Sequence, residues 1–295
     1  MGVEDVKKDF QENHGVNLEK SYIQNVSYYV GRLYLKMEDE IEYKLPQIDK
    51  EIATVGIGMD GTCSYVGNNG WRETMVGTIS LYDKEGNRLH TIYTSEAPEY
   101  GKGRFKELFT KEINTILENV PSSAKIVGIA DGAKDNWSFL DDFVETQIID
   151  FFHASEYLAY ASKIVNLEDK DEQEEWLNNA CHRLKNDKGS APVLLDEMKQ
   201  LENKQKVPKK AKENLQKAIT YFNNHSHQMN YAEAIENKIP IGSGVTESAC
   251  KVLVKQRLCI SGARWSHLGA NCMLKLRAIN LTDGRWSQFW NEKVS

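Results

Sequence analysis

Apolar and β-branched residues crowd into three successive runs, at residues 52–59, 74–82 and 89–94, and each is long enough for one strand. The stretch Asp83-Lys84-Glu85-Gly86-Asn87 separates the last two and predicts a hairpin turn. Upstream, Val16, Leu18, Tyr22, Ile23, Val26, Tyr29 and Val30 recur at helical spacing. Residues 1–48 are therefore expected to be helical, broken at His14-Gly15, with Ser21 as an N-cap and Pro46 at the entrance to the core. Downstream, Phe105, Leu108, Phe109, Ile113, Ile116 and Leu117 give one apolar helix face that must stop before Pro121. A strand at 125–130, a short helix at 137–144 and a strand at 147–152 follow.

That order predicts an α/β fold in which only part of the sheet is parallel. From about residue 155 to 236 the pattern turns helical and highly charged, with few strand signals. The expectation is a helical N-terminal segment (1–48) and a first core part (49–155). An all-α insertion (156–236) then precedes a C-terminal core part with the last helices (237–295). The two charged runs, 168–175 and 204–212, read as solvated helix faces or loops.

Composition is ordinary for a globular chain: 40% hydrophobic and 27% charged over 295 residues. No apolar run approaches the roughly 20 residues that span a bilayer, and the N-terminus is polar, so no membrane partner is expected. Five scattered cysteines without a C-x-x-C pair fit a reduced, cytoplasmic setting. The net charge of −6 is unevenly spread. From Lys238 onward nine basic residues face three acidic ones, so this tail is +6 and the remainder −12. A basic segment of that kind suits nucleic-acid phosphates, and association with the nucleoid follows as an expectation.

Three acids carry the candidate chemistry. Asp60 follows the first strand run and Asp131 the run at 125–130. Glu247 sits just inside a helix opening at Gly242-Ser243-Gly244. Two acids at strand ends and one on a late helix suit a shared metal site. Phosphodiester hydrolysis and transfer need an activated nucleophile and a stabilised leaving oxyanion, and two divalent ions do both. Mg²⁺ or Mn²⁺ would take hard carboxylate oxygens, with Asp60 bridging two ions and Asp131 and Glu247 each completing one side. Small residues beside the acids (Gly58, Gly61, Gly132, Ala133, Gly242, Gly244) would admit a DNA backbone. Lys251, Lys255, Arg257 and Arg264 are candidate phosphate contacts. Trp265, Trp286 and Trp290 read either as base-stacking residues or as packing anchors of the terminal helices.

Asp131-Gly132-Ala133, with Asp150-Phe151-Phe152-His153 after the next strand, resembles the second acid and the downstream [C/D]-x-x-H signature of Mutator-related DDE transposases. The C-terminal series is more specific. Residues 240–251, then Lys255-Gln256-Arg257-Leu258, residues 261–266, Leu276-Arg277-Ala278, Gly284-Arg285-Trp286 and Phe289-Trp290, resemble the catalytic C-terminus of insertion-sequence transposases of the ISKra type. The likeness covers roughly residues 52–290. It implies an RNase H-like mixed-sheet core with a helical insertion before the last catalytic helix. It also implies a metal-binding triad of Asp60, Asp131 and Glu247, accessory Asp150 and His153, and dependence on two Mg²⁺ or Mn²⁺ ions. DNA ends and target DNA would be the partners, held by a homo-oligomer in a synaptic complex. The family's DNA-binding region is longer than the helical segment found here.

Two other readings compete. Gly58-Met59-Asp60-Gly61-Thr62 resembles the first phosphate loop of actin- and sugar-kinase-type phosphotransferases, but no glycine-rich adenosine loop follows late in the chain. A transposase-derived protein that binds DNA without cutting it is the non-enzyme alternative.

Overall fold

The computed structural model describes residues 2–67 and 70–294, the side chains of residues 292–294 excepted. Glu292 and Lys293, counted in the tail charge, thus have side chains outside the described set. The chain opens with α1 (Val3–His14) and α2 (Lys20–Met37). Gly15 ends α1 in the left-handed conformation, φ 65°, which glycine adopts without steric cost. Ser21 is not the cap of α2: Glu19 holds that position, without a side-chain hydrogen bond, and Ser21 lies in the first turn. Residues 41–48 are not helical either, so the helical segment ends well before Pro46.

Five strands follow in a single mixed sheet of order β3-β2-β1-β4-β5. β1 (Thr54–Tyr65) pairs antiparallel with β2 (Trp71–Tyr82), which pairs antiparallel with β3 (Arg88–Glu96). After α3 (Gly103–Glu118), β4 (Lys125–Ala130) returns parallel to β1. β5 (Thr146–Ile149) then joins β4 in parallel after α4 (Lys134–Leu140). The α/β order and the partly parallel sheet are as the hydrophobic pattern predicts. Two boundaries differ. β1 does not end at Asp60 but runs five residues beyond it. β5 stops at Ile149, and Phe151-Phe152-His153 is the first turn of a helix. Asp150 causes that switch, because its carboxylate accepts the His153 N–H and caps the helix.

The remaining elements are helical: α5 (Phe151–Val165), α6 (Lys170–Asn186), α7 (Ser190–Leu201), α8 (Lys209–His225) and α9 (Tyr231–Glu236). Then come α10 (Gly244–Ala249), a π-helical turn (Cys250–Lys255), α11 (Gln256–Leu258), α12 (His267–Leu281) and α13 (Arg285–Val294). Helices α5–α9 share one hydrophobic cluster with the sheet, through Ile148, Ile149, Leu158, Phe222 and Tyr231.

Alternation along β1 divides the sheet into two unlike faces. Val55, Ile57 and Met59 meet Phe105, Phe109 and Ile113 of α3 in an apolar layer. The opposite face carries small polar residues joined in pairs, with Thr78 bonded to Thr246 of α10 at 2.7 Å and Ser64 to Thr74 at 2.7 Å. Small side chains let α10 lie close to the sheet. A β-carbon on Gly58 would sit 2.4 Å from the Thr246 hydroxyl, so this glycine makes room for the helix rather than for a DNA backbone.

Buried ion pairs lock the terminal helices to this core. Arg285 of α13 donates from both Nη atoms to Glu112 of α3, at 2.7 and 2.8 Å, and to the Tyr34 hydroxyl of α2 at 3.3 Å. Lys275 of α12 lies 2.6 Å from both Glu38 and Glu96. These two cations, counted as part of the basic tail, are therefore structural. Arg277 is also turned inward, donating to the Val252 carbonyl in the π-helical turn. Removing one member of a buried pair strands the other charge. Glu112→Leu is expected to cost about 3–5 kcal/mol in urea unfolding. The double variant Glu112→Leu/Arg285→Met should recover most of that loss.

Candidate active site

Three elements converge on the polar face of the sheet: the middle of β1, the C-terminal end of β4 and the start of α10. Asp60 points from β1 toward the junction of α10 and the π-helical turn, where the buried Cys250 thiol lies 3.6 Å from its Oδ2. Its Oδ1 accepts the Gly61 N–H at 2.7 Å. Burial raises the Asp60 carboxyl above the ordinary aspartate range. The charges of Asp131 and Glu247 push it further up, against the lowering effect of Gly61 and Cys250. The three expected acids thus share one electrostatic site.

Asp131 begins the turn after β4. Its Oδ1 accepts from the Ala133 N–H at 3.0 Å and from Asn136 Nδ2 at 3.2 Å, and its carbonyl accepts from Trp137 Nε1 at 2.7 Å. The buried Asn136 also donates to the Met59 carbonyl at 3.3 Å, tying the Asp131 turn to the backbone beside Asp60. Gly132 packs under Tyr221 of α8, whose ring would meet a β-carbon there at 2.6 Å. Tyr221, Tyr157 and His225 line a groove of about 610 Å³ beside Gly132, so the helical body forms one wall of this region. Burial raises the Tyr221 phenol, and the Tyr157, Asp131 and Asp150 charges add to that shift.

Glu247 stands in the first turn of α10, half exposed. Its Oε1 accepts from the Ser243 hydroxyl at 3.0 Å. The same hydroxyl lies 2.9 Å from Oδ2 of Asp150, which also accepts the Ser243 N–H at 2.5 Å. One hydroxyl proton therefore serves two carboxylates. Asp150 is wholly buried, while His153 presents Nε2 at 3.7 Å from Glu247 and Nδ1 at 3.5 Å from Glu156.

Asp150, His153 and Glu247 each place one ligand atom within 4.8 Å of the others, a grouping that could hold a metal ion. Among the described residues it is the group of three that meets this spacing; Asp131 and Glu247 act on Asp60 through charge rather than at that distance. The donor set suits a hard divalent cation. Among the described residues no Lys or Arg is paired with Asp60, Asp131 or Glu247, and His153 is the single ion-pair partner of Glu247. Carboxylates collected without a protein counter-charge are what a cation stabilises.

The expected phosphate contacts divide. Lys251, Lys255 and Arg264 are exposed. Arg257 instead lies half-buried over the Trp265 ring, its guanidinium 5.0 Å from the ring centroid, and burial lowers its pKa. Trp265 belongs to the cluster under α10–α12, and Trp290 packs with Phe289 under α13. Both serve as anchors. Trp286 is 38% exposed at the edge of that second group.

Asn136, Ser243 and Cys250 were not legible as site residues. Cys250 alone carried a signal, standing three positions after Glu247 and hence on the same helix face. Compared with protein-family models and with curated proteins, the sequence gives no match.

The raised Asp60 carboxyl has a measurable consequence. A group whose folded pKa lies above its unfolded value lowers stability as pH rises from about 4 through the folded value. In the metal-free protein Asp60 should contribute a loss of thermal stability over that window, read as the difference between wild type and Asp60→Asn. Mn²⁺ should raise the melting temperature of the wild type at pH 7–8 far more than that of Asp60→Asn, as read by differential scanning fluorimetry.

Proposed function

We propose that this chain is the catalytic core of an insertion-sequence DDE transposase, with an RNase H-like fold, that cuts and joins DNA strands. The observation carrying this reading is the convergence of Asp60, Asp131 and Glu247. The first two come from adjacent parallel strands and the third from the helix laid across them, and the charges of Asp131 and Glu247 bear on the Asp60 carboxyl. The ISKra-like C-terminal motif supports the same conclusion, because Ser243, Thr246, Glu247 and Cys250 all come from it and all face the site.

Asp60, Asp131 and Glu247 would hold the Mg²⁺ or Mn²⁺ ions. Bound there, the ions would activate a water or a DNA 3′-hydroxyl as the nucleophile and offset charge on the leaving oxygen. The chain's own residues do the rest. Asn136 and the Ala133 N–H hold one oxygen of Asp131, leaving the other for a ligand. Ser243, anchored by Asp150, orients Glu247 in the same way. His153, beside Glu247 and partly exposed, contacts a phosphate oxygen or the leaving-group oxygen. Exposed Lys251, Lys255 and Arg264 bind backbone phosphates without reading sequence. Synapsis of two DNA ends calls for more than one copy of the chain.

Cleavage of supercoiled plasmid tests this. Nicking should require Mg²⁺ or Mn²⁺, stop in EDTA, and fall by more than about 100-fold in Asp60→Asn, a larger loss than removal of a ligand's supporting partner gives. Nicking by Asp60→Asn at the wild-type rate would remove that acid from the mechanism. DNA binding without cleavage would favour a transposase-derived binding protein, and ATP turnover a phosphotransferase.

A further inference from the structure

The tip of the β1–β2 ribbon carries an aromatic pair that no packing explains. Tyr65 and Trp71 are the last register pair of the two strands, so their side chains lie on one face. Their rings meet edge to face, with centroids 6.0 Å apart. Trp71 is nevertheless 62% exposed and Tyr65 43% exposed. Single exposed apolar residues are common on protein surfaces, but two aromatics in contact form a platform.

Its surroundings select an occupant. Arg72, next along β2, leaves the opposite face by alternation, but its exposed guanidinium turns back at the strand edge, with Nη1 donating to the Trp71 carbonyl at 2.9 Å. A parallel bridge between Val66 and Trp265 brings the exposed Arg264 to the same ribbon end. Among the described residues, Arg72 and Arg264 are in no ion pair. The nearby Glu73 is neutralised by Lys102 at 2.7 Å. Aromatic faces flanked by unpaired guanidinium groups match a polyanion with exposed planar rings. Duplex DNA hides those rings in its stack, whereas an unpaired strand offers them.

We infer that Tyr65 and Trp71 stack on bases of unpaired DNA, with Arg72 and Arg264 on the adjoining phosphates. The inference rests on the transposase reading and extends it, making single-stranded or opened DNA at element ends part of the substrate. Tyr65 lies five positions after Asp60 on β1, so by strand alternation the platform and the acid face opposite sides. A strand bound on the platform therefore reaches the acids around the edge of β1. β4 leaves that edge uncovered beyond Ile57, and the basic segment with Arg264 lies at its far end.

The test compares fluorescein-labelled oligo-dT of 20 nucleotides with a 20-base-pair duplex, by anisotropy in EDTA at fixed salt. Trp71→Ala should weaken oligo-dT binding about 5- to 100-fold, the range that one lost base stack gives. Duplex affinity should stay within about twofold. Trp71→Phe, which keeps a stacking ring, should retain most of the affinity. Equal losses on both ligands, no loss, or no oligo-dT binding by the wild type would overturn the platform. So would a gel-filtration shift in Trp71→Ala with unchanged DNA binding, which would make the pair a contact between copies. Wild-type nicking with unaffected Trp71→Ala would sink this inference alone. Trp71-dependent oligo-dT binding without nicking would sink the cleavage reading and leave the platform standing.

Discussion

Asp150 is a carboxylate with no exposure to solvent, and the arrangement of the site depends on how its charge is satisfied. An unpaired carboxylate at such depth costs many kcal/mol, so the fold must bring donors to it. It does so from two directions, with the His153 N–H from the first turn of α5 and the N–H and hydroxyl of Ser243 from the residues before α10. The Asp150 N–H meanwhile donates to the Ala130 carbonyl at the end of β4. One buried group thereby ties together the strand that delivers Asp131, the helix that delivers His153 and the helix that delivers Glu247. The elements are far apart in sequence, and a shared need for hydrogen bonds holds them in register.

The opposite condition holds at Asp60. Its neighbours are two further acids, a weak thiol donor and one backbone N–H, and no Lys or Arg among the described residues pairs with it. Folding collects like charges here and leaves them under-compensated. Such an arrangement lowers the stability of the metal-free chain, and a structural role gives no reason to keep it. The cation binding proposed above would offset that cost. Elsewhere the same chain pairs its buried charges closely, as in Arg285 with Glu112 and Lys275 with Glu38 and Glu96, so the imbalance at Asp60 is local.

Those pairs also revise the meaning of the basic tail. Its positive charge looked like a DNA-facing surface, yet Lys275, Arg277 and Arg285 point inward and Arg257 is stacked on Trp265. Among the described side chains of the tail, the exposed cations that remain are Lys238, Lys251, Lys255 and Arg264, and Arg72 of β2 adds another near Arg264. The aromatics exchange roles in the same way. Trp265 and Trp290, from the tryptophan-rich tail, are anchors, whereas Trp71, at the start of β2, is the most exposed tryptophan among the described residues.

Local pattern by itself determined the α/β order, the hairpin at residues 83–87, the helix break at Gly15 and the strand runs that lead into Asp60 and Asp131. Each follows from side-chain periodicity or turn chemistry acting over a few residues. The three acids were legible for the same reason, since each stands beside a strong local signal. What only the tertiary structure decided is who meets whom. Ser243 and Asn136 are unremarkable as single residues, and their roles exist because Asp150 and Asp131 need donors that the chain supplies from elsewhere. The end of β5 at Ile149 turned on whether Asp150 capped a helix or continued a strand. That choice belongs to a buried charge, and periodicity does not record it. Whether a cation faces inward likewise depends on a distant partner, as with Arg285 and Glu112, which are 173 positions apart.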